Sequence, residues 1–285
     1  MAEIIDGKLI SKKLREELIV EILDFKTQYG ITPGLAVIMV GNNPASAVYV
    51  RNKHRACAEV GITSYQIELP EQTSEDELLS KIDELNSDEN VHGILVQLPL
   101  PTHIDEEKVI NRISPEKDVD AFHPVNVGKI MVGNYQLLPC TPAGVMQLLN
   151  HYNIDIKGKR CVVIGRSNIV GKPMALLLLE KHGTVTVCHS RTENLSSITK
   201  EADILVVAIG KANFLTTGMV KAGAVVIDVG INRLPDGKLV GDVDFNAVAN
   251  VASYITPVPG GVGPMTITML LRNTITAAKS AIIKI

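Results

Sequence analysis

The chain has 285 residues, enough for about two domains of roughly 150 residues, each with a well-buried core. Hydrophobic residues make up 46% of the chain and aromatic residues only 4%, with no tryptophan, which is typical of an aliphatic α/β core. A formal net charge of −3 offers no basic field to a nucleic acid or an anionic membrane, so we expect a small-molecule partner.

The cysteines and the N-terminus bear on the cellular compartment. Cys57, Cys140, Cys161 and Cys188 are widely spaced, which predicts reduced core thiols rather than disulfides or metal ligands. The histidines also lack metal-ligand spacing, so we predict no metal site. The first residues do not resemble a signal peptide, and no apolar run approaches the roughly 18 residues of a membrane span. We therefore expect a soluble, cytoplasmic protein.

Predicted helices and strands alternate along the first third of the chain. They are a helix over residues 11–29, a strand over 35–40, a helix opened by Asn43 as N-cap and Pro44, a strand over 62–69, a helix over 74–85 and a strand over 92–98. Such alternation predicts a mostly parallel sheet covered by helices, with ligands bound beyond the carboxyl ends of the strands.

The periodicity fades over residues 114–142, which predicts a junction between domains. Beyond it we predict helices over 141–152 and 265–284, a strand over 161–164 leading into a helix closed by Gly183, and strands over 184–189, 204–209, 224–231 and 241–243. The chain is therefore predicted to be α/β with two domains. An N-terminal α/β substrate domain with a mostly parallel sheet covers residues 1–120, and a C-terminal Rossmann-like domain covers 140–267. We expect a cleft between them and a last helix, 268–285, that returns to the first domain.

Residues 160–173, RCVVIGRSNIVGKP, predict a strand, a tight turn and the start of a helix. Such a turn places backbone N–H groups and the positive end of a helix where a phosphate can bind. The usual G-x-G-x-x-G is absent, because Gly165 and Gly171 enclose Arg166, Ser167 and Asn168. This stretch alone leaves two interpretations open, a dinucleotide site and an ordinary strand-to-helix turn.

The residues after the next predicted strand bear on the choice of cofactor. An acidic residue is expected there when the ribose of NAD is bound, but this chain has His189, Ser190, Arg191 and Thr192. Together with Arg166, Arg191 suits the 2′-phosphate of NADP, since guanidinium groups bind phosphate well. The alternative is that both arginines are ordinary surface residues.

Candidate catalytic residues lie near the predicted carboxyl ends of strands. Tyr49 and Lys53 are four residues apart and share a helix face, although Lys53 also fits a solvated basic face. Gln97 ends a strand, where its amide can orient a ligand or an amine or simply cap the sheet. Asp120 lies at the predicted junction, where it can bind a heterocycle or form a turn. The glycines at 260 and 261 either allow a ligand to approach the backbone or only shape the return between domains.

Five ordered motifs carry a resemblance to a known family. They are YVRNK at 49–53, GILVQLPLP at 93–101, KDVDAFHPVNVG at 117–128, GRSNIVGKP at 165–173 and PVPGGVGPMT at 257–266. The chain resembles the bifunctional methylenetetrahydrofolate dehydrogenase/methenyltetrahydrofolate cyclohydrolase family from the first helix to the last. It resembles the stand-alone form, because no segment remains for the formate-ligase domain of trifunctional relatives.

The resemblance implies that NADP oxidises 5,10-methylenetetrahydrofolate to the 5,10-methenyl cation, which water opens to 10-formyltetrahydrofolate. It implies that Lys53 is the acid/base group of the hydrolysis and that Gln97 hydrogen-bonds Lys53. It also implies that Tyr49 packs on the folate and that Asp120 holds the pterin. The NADP site would include Gly165, Arg166, Ser167, Ser190, Arg191 and Ile231, and Pro259, Gly260 and Gly261 would contact the folate. The family is commonly homodimeric.

One residue departs from the family pattern: Ala121 stands where the family usually has glycine after the aspartate. A positive φ there would cost on the order of 1 kcal/mol, so we expect retained activity with weaker folate binding. Two other hypotheses are a shikimate-type dehydrogenase, against which Tyr49 and the PGGVGP return argue, and a nicotinamide-sensing regulator. The regulator would need a DNA-binding or partner module, for which the alternating pattern leaves no room.

Overall fold

The computed structural model describes residues 1–283, except for the side chains of Ala45 and Ile283. The strands of this part are β1 (Glu3–Ile4), β2 (Gly34–Val40), β3 (Thr63–Leu69), β4 (Gly93–Val96), β5 (Arg160–Ile164), β6 (Thr184–Cys188), β7 (Ile204–Val207), β8 (Val225–Asp228), β9 (Asn232–Arg233), β10 (Leu239–Val240) and β11 (Tyr254–Ile255).

The helices alternate with these strands over most of the chain. They are α1 (Gly7–Tyr29), α2 (Pro44–Val60), α3 (Glu75–Ser87), α4 (Glu106–Arg112), α5 (Pro124–Met131), α6 (Cys140–His151), α7 (Gly171–Glu180), α8 (Leu195–Thr199), α9 (Phe245–Val248) and α10 (Val262–Ile283). Within residues 1–283, no helix combines the length and the apolar character needed to cross a bilayer.

One compact unit comprises Met1–Lys12 and Thr141–Thr266. Its six strands pair in the order β1-β11-β8-β7-β5-β6, and every pair is parallel. Strands β7 and β8 are buried along their whole length, as expected when helices cover both faces of a parallel sheet. The chain passes from β5 to β6 on one side and then to β7 on the other. The topological switch point, where α/β sheets bind ligands, therefore lies at the carboxyl end of β5.

The other compact unit comprises Lys13–Cys140 together with helix α10 from Ile267 onward. Its three strands pair in parallel in the order β3-β2-β4. Strand β2 is entirely buried, and helix α2 packs against β2 and β3. This unit has its own aliphatic core, formed by the sheet with α3 and α4. The predicted α/β architecture with two mostly parallel sheets is confirmed, and so is the return of the last helix to this unit.

The structure differs from the predicted division at the N-terminus. Residues 1–12 lie with the β5-containing unit because β1 pairs in parallel with β11. Strand β1 has two residues, both exposed, and therefore lacks the apolar run that reveals a strand in a sequence. The functional assignment of the domains, 1–120 with 268–285 and 140–267, stays a prediction.

Several element bounds also differ from those predicted. Helix α5 lies where the periodicity fades, and it starts because Pro124 takes its first position and His123 Nδ1 accepts the N–H of Val125 at 3.1 Å. The strand predicted over 241–243 is wrong, since β10 is Leu239–Val240 and pairs antiparallel with β9. The last helix begins at Val262, and Lys284, at its predicted end, lies outside the described residues.

Candidate active site

Helix α2 carries two of the predicted catalytic side chains. Asn43 starts the helix, because its Oδ1 accepts a hydrogen bond from the N–H of Ser46 at 3.2 Å, which confirms the predicted N-cap. Tyr49 and Lys53 lie four residues apart, on one face of the helix. The Tyr49 side chain is exposed and Lys53 is half-buried, so an aromatic surface and an amine are presented side by side.

Gln97 lies directly after β4 and orients the amine of Lys53. Its Oε1 accepts a hydrogen bond from Lys53 Nζ at 3.0 Å, the bond that the resemblance implies. Its Nε2 donates to the carbonyl oxygen of Leu98 at 2.7 Å. Because the second bond fixes which end of the amide faces the lysine, Gln97 acts here as an acceptor.

The segment before Asp120 extends the sheet beside β4. Asp118 forms a parallel bridge with Ile94, whose N–H donates to the carbonyl of Lys117 at 2.7 Å. Asp120, two residues further on, therefore lies at the edge of the sheet where β4 ends and Gln97 follows. Burial raises the pKa of Asp120, and the positive charge of Lys53 opposes this rise.

A buried thiol lies behind Asp120. Cys140 Sγ donates weakly to Asp120 Oδ1 at 3.7 Å and to the carbonyl of Val119 at 3.4 Å. Burial, helped by the charge of Asp120, raises the pKa of Cys140 well above its usual value. This cysteine is therefore a protonated, weak hydrogen-bond donor, as expected for a core thiol.

The turn that follows Asp120 is held by a buried carboxylate that the sequence analysis missed. Asp118 Oδ2 accepts the N–H of His123 at 2.8 Å and Nδ2 of Asn126 at 3.0 Å. Ala121 is buried with a φ of 57°, so the position does require the left-handed conformation that glycine adopts easily. The departure from the family pattern is therefore a real backbone cost in this chain.

Helix α10 supports the same turn. Asn273 is buried, and its Nδ2 donates to the carbonyls of Val119 and Leu138, both at 2.8 Å. The sequence analysis missed Asn273, which stands beside Arg272 in a helix that also carries several threonines. Because a buried amide needs polar partners, its two backbone acceptors account for its position. The backbone on both sides of Asp120 is thus tied to secondary structure.

The second candidate region surrounds the turn after β5. Gly165 has a φ of 128°, and a Cβ atom on it would lie 2.3 Å from the carbonyl oxygen of Ala208 at the end of β7. A Cβ on Gly171 would lie 2.3 Å from the carbonyl oxygen of Gly165. Both glycines are thus required by close backbone packing. Ser167 Oγ accepts the N–H groups of Val170 and Gly171 at 3.2 and 3.3 Å and so organises the start of α7.

A cavity of about 430 Å³ opens at this turn, at the switch point of the sheet. Its lining combines cationic and polar residues with apolar ones, which suits a nucleotide that carries both phosphates and a base. The lining residues are Ile164, Gly165, Arg166, His189, Ser190, Thr192, Leu195, Ala208, Ile209, Lys211 and Phe214. Sequence reasoning missed Leu195, Ala208, Ile209, Lys211 and Phe214, although the last four lie just after the carboxyl end of β7, where an α/β sheet binds ligands.

Three predicted cofactor residues lie outside that lining. Ser167 serves the start of α7, and Arg191 is an exposed residue whose N–H donates to His189 Nδ1 at 3.1 Å. Ile231, on the loop after β8, is 46% exposed. Their contact with a cofactor stays a prediction.

The PGG segment packs closely against the start of α1. The N–H of Lys8 donates to the carbonyl of Gly260 at 3.1 Å, and a Cβ on Gly261 would lie 2.6 Å from the carbonyl oxygen of Pro257. Gly260 has a φ of 112°, whereas Pro259 is exposed. Chain packing therefore explains both glycines, and the contact of this segment with folate stays a prediction.

Two family models match the chain in order. The tetrahydrofolate dehydrogenase/cyclohydrolase catalytic domain matches residues 5–120, and the tetrahydrofolate dehydrogenase/cyclohydrolase NAD(P)-binding domain matches residues 139–282. The chain belongs to the tetrahydrofolate dehydrogenase/cyclohydrolase family. Its resemblance to that family, carried by the five motifs, is confirmed.

Individual members of the tetrahydrofolate dehydrogenase/cyclohydrolase family are similar over nearly the whole chain. The bifunctional protein FolD of Acetivibrio thermocellus is 63% identical, over 98% of this chain and 97% of the relative. The crystal structure of the FolD methylenetetrahydrofolate dehydrogenase/cyclohydrolase of Campylobacter jejuni matches with a TM-score of 0.97 and 53% identity, covering 99% of this chain and 100% of that one. The Trypanosoma brucei enzyme, solved with NADP cofactor and an inhibitor, matches with a TM-score of 0.95 and 42% identity, covering 99% of this chain and 98% of that one. Of the three hypotheses from the sequence, this family membership favours the folate enzyme.

Proposed function

We propose that the protein is a bifunctional enzyme of one-carbon metabolism. It oxidises 5,10-methylenetetrahydrofolate to 5,10-methenyltetrahydrofolate with NADP and hydrolyses the product to 10-formyltetrahydrofolate. The observation that carries the proposal is the hydrogen bond between Lys53 and Gln97, with Asp120 electrostatically coupled to the same lysine. Family membership, with relatives named for both activities, supports the same conclusion.

Lys53 is the proposed acid/base group of the hydrolysis. Water adds to the methenyl carbon and releases a proton, and N5 gains a proton as its bond to that carbon breaks. A lysine can accept a proton only in its neutral form, which a bound methenyl cation favours because like charges repel. The hydrogen bond to Gln97 holds the amine in place for both transfers.

The neighbouring residues bind and orient the folate in this proposal. Tyr49 has an exposed ring on the lysine face of α2, suitable for packing on a flat heterocycle. Asp120 can accept hydrogen bonds from the amino and ring N–H groups of the pterin. Pro259, Gly260 and Gly261 complete the proposed folate contacts, and the cleft between the two domains stays a prediction.

NADP is the proposed cofactor, and when bound it supplies a hydride acceptor. The turn at Gly165 suits a pyrophosphate, because it lines the cavity between the carboxyl end of β5 and the start of α7, where backbone N–H groups can bind phosphate. Arg166 lines the cavity and is the proposed ligand of the 2′-phosphate, with Ser167, Ser190, Arg191 and Ile231 completing the site. The T. brucei relative, solved with NADP, supports this cofactor.

The two arginines provide a matched test of cofactor choice. We expect Arg166→Gln to raise the KM for NADP by about tenfold, roughly 1.4 kcal/mol, and to leave the KM for NAD unchanged. Arg191→Gln, which removes the same charge from an exposed residue outside the cavity lining, should have a smaller effect. Equal sensitivity of both variants to NADP and NAD would contradict a 2′-phosphate contact.

The catalytic proposal is tested at Lys53. Lys53→Gln should lower the rate of methenyltetrahydrofolate hydrolysis by at least about 100-fold, the usual size of an acid/base contribution. Arg51→Gln removes a charge from an exposed position on the same helix and should keep the wild-type rate. Hydrolysis is followed by the loss of methenyl absorbance, and oxidation by NADPH formation from methylenetetrahydrofolate. A wild-type protein with neither activity, or a fully active Lys53→Gln variant, would refute the proposal.

We further propose a homodimer in the cytoplasm. Strand β6 is the edge of its sheet, with unpaired backbone groups and an exposed Val187, and Leu179 on the preceding helix is 59% exposed. The four cysteines are free and buried, in keeping with a reducing compartment. Sedimentation velocity of the wild type and of a Val187→Lys variant tests the dimer, which the lysine should weaken. An unchanged dimer would exclude this edge as the interface.

A further inference from the structure

A buried carboxylate outside the proposed catalytic residues holds one wall of the cofactor cavity. Asp242 follows β10 and is fully buried. Its Oδ2 accepts the N–H groups of Ile209 at 2.7 Å and Gly210 at 3.0 Å. Its Oδ1 accepts the N–H of Lys211 at 2.8 Å and Nδ2 of Asn232 at 2.9 Å. Three consecutive amides of the loop after β7 thus converge on one side chain.

A second buried carboxylate holds the backbone of Asp242. Asp228, at the end of β8, accepts the N–H groups of Gly230 at 3.0 Å and Asp242 at 2.9 Å on Oδ1, and that of Val243 at 2.9 Å on Oδ2. Burial raises the pKa of Asp228 to about 7, although these three amides favour the ionised form. The loop after β7, the loop after β8 and the segment after β10 are therefore joined through two carboxylates.

Two glycines show how closely the backbone surrounds these carboxylates. A Cβ on Gly230 would lie 2.2 Å from Asp242 Oδ1, and a Cβ on Gly241 would lie 1.8 Å from Asp228 Oδ2. No side chain fits at either position without displacing a carboxylate. The arrangement is therefore built into the backbone of both loops.

Burying a carboxylate costs folding free energy unless its oxygens are fully hydrogen-bonded, so we expect a buried pair to have a structural or functional role. The loop that Asp242 holds supplies Ile209 and Lys211 to the cavity lining, and Phe214 follows three residues later. We propose that Asp242 is a positioning residue for the nicotinamide dinucleotide, which fixes residues 209–211 so that Ile209 and Lys211 form one wall of its site. This inference rests on the proposed function of the cavity.

The chemistry of the four partners makes Asp242→Asn a sharp perturbation. All four are hydrogen-bond donors, and only a carboxylate accepts on both oxygens. An asparagine has nearly the same shape, but in either orientation its NH₂ group faces at least one backbone N–H that it cannot accept. The loop must then move, because buried unpaired donors are unfavourable.

We expect Asp242→Asn to raise the KM for NADP by at least about tenfold, or roughly 1.4 kcal/mol of binding. At saturating NADP the kcat of the dehydrogenase should stay within about twofold of wild type, and hydrolysis of added methenyltetrahydrofolate, which uses no cofactor, should be unchanged. A general loss of folding would instead lower the apparent kcat and the hydrolysis rate together, without raising the KM of the enzyme that remains folded. NADPH fluorescence titration measures the same affinity directly.

Asp236→Asn is the matched control. Asp236 is exposed in the turn between β9 and β10 and accepts the N–H of Lys238, two residues away, at 2.9 Å. The control removes the same charge by the same substitution, and NADP affinity should stay at the wild-type value. Equal NADP affinity in the Asp236→Asn and Asp242→Asn variants would overturn the inference. A wild-type protein that does not bind NADPH would instead refute the proposed function of the cavity.

If the Asp242→Asn variant does not fold, the inference can still be tested on the wild-type protein. The amide protons of Ile209, Gly210 and Lys211 should exchange slowly with solvent even without cofactor, because each is bonded to a buried carboxylate. Amide exchange by NMR or mass spectrometry measures this protection. Exchange at the rate of an open loop would overturn the positioning role of Asp242.

Discussion

Replacement of Gly165 by alanine should weaken binding of the cofactor while sparing the hydrolysis. The added Cβ would lie 2.3 Å from the carbonyl oxygen of Ala208, and ordinary contact begins at 3.4 Å, so the turn must move by 1.1 Å. Two hydrogen bonds oppose this movement, from the N–H of Gly165 to Cys188 O at 2.9 Å and from the N–H of Ala208 to Ile164 O at 2.8 Å. A displaced turn no longer presents its amides to a phosphate. We expect NADP affinity to fall by more than about tenfold, over 1.4 kcal/mol.

Gly158→Ala, in the same compact unit, is the control for Gly165→Ala. Gly158 also has a positive φ, 73°, but an added Cβ would meet nothing within 4 Å. Gly158→Ala therefore reports the backbone strain alone, about 1 kcal/mol, or a fall in melting temperature of roughly 2–4 °C. Its NADP affinity, measured by NADPH fluorescence titration, should equal that of wild type.

The outcome for Gly165→Ala decides whether the turn after β5 contacts the cofactor. A raised KM for NADP and weaker NADPH binding, with unchanged hydrolysis of methenyltetrahydrofolate, are the expected result. If the variant binds NADPH as tightly as Gly158→Ala, the turn after β5 does not contact the cofactor. If both activities vanish together with the thermal transition, the substitution has unfolded the protein, and NADPH protection of wild-type amides around the turn becomes the deciding measurement.

Three further substitutions test other parts of the structure. Ala121→Gly relieves backbone strain of about 1 kcal/mol but removes a buried methyl group worth about 0.8 kcal/mol. The free energy of unfolding in urea and the two enzyme activities should therefore barely change. A variant that gained an activity missing from the wild type would contradict this expectation. Burial lowers the pKa of His92, whose Nδ1 accepts the N–H of Gly34 at 3.0 Å. Its contribution to stability should therefore be complete above the unfolded-state pKa of about 6.5 and be lost as the pH falls below it. His92→Asn, which keeps an acceptor, should reduce that acid-side loss in urea titrations, and an identical pH profile would exclude His92 as the cause. Ser74→Ala removes a capping box and should cost about 1 kcal/mol of unfolding free energy, unlike Ser80→Ala on the exposed face of α3.

The sequence predicted much of the site because its chemistry depends on local patterns. The four-residue spacing of Tyr49 and Lys53 places both on one helix face, and Gln97 follows directly on an apolar strand. The turn at Gly165 was visible as a strand that ends in glycine before a helix. These features are specified by nearby residues, so they can be read before any tertiary contact is known.

The sequence itself likewise determined the alternation of helices and strands, the N-cap at Asn43 and the two parallel sheets. The reason is that apolar periodicity and helix capping depend on residues only a few positions apart. Only the tertiary structure decided that β1 joins the sheet of β11, since two exposed residues carry no strand signal. It also decided that Ala121 has a positive φ and that Asp242 binds the amides of residues 209–211. An aspartate has the same local propensity whether solvent or distant amides satisfy its oxygens, so its partners exist only once remote segments of the chain have packed together.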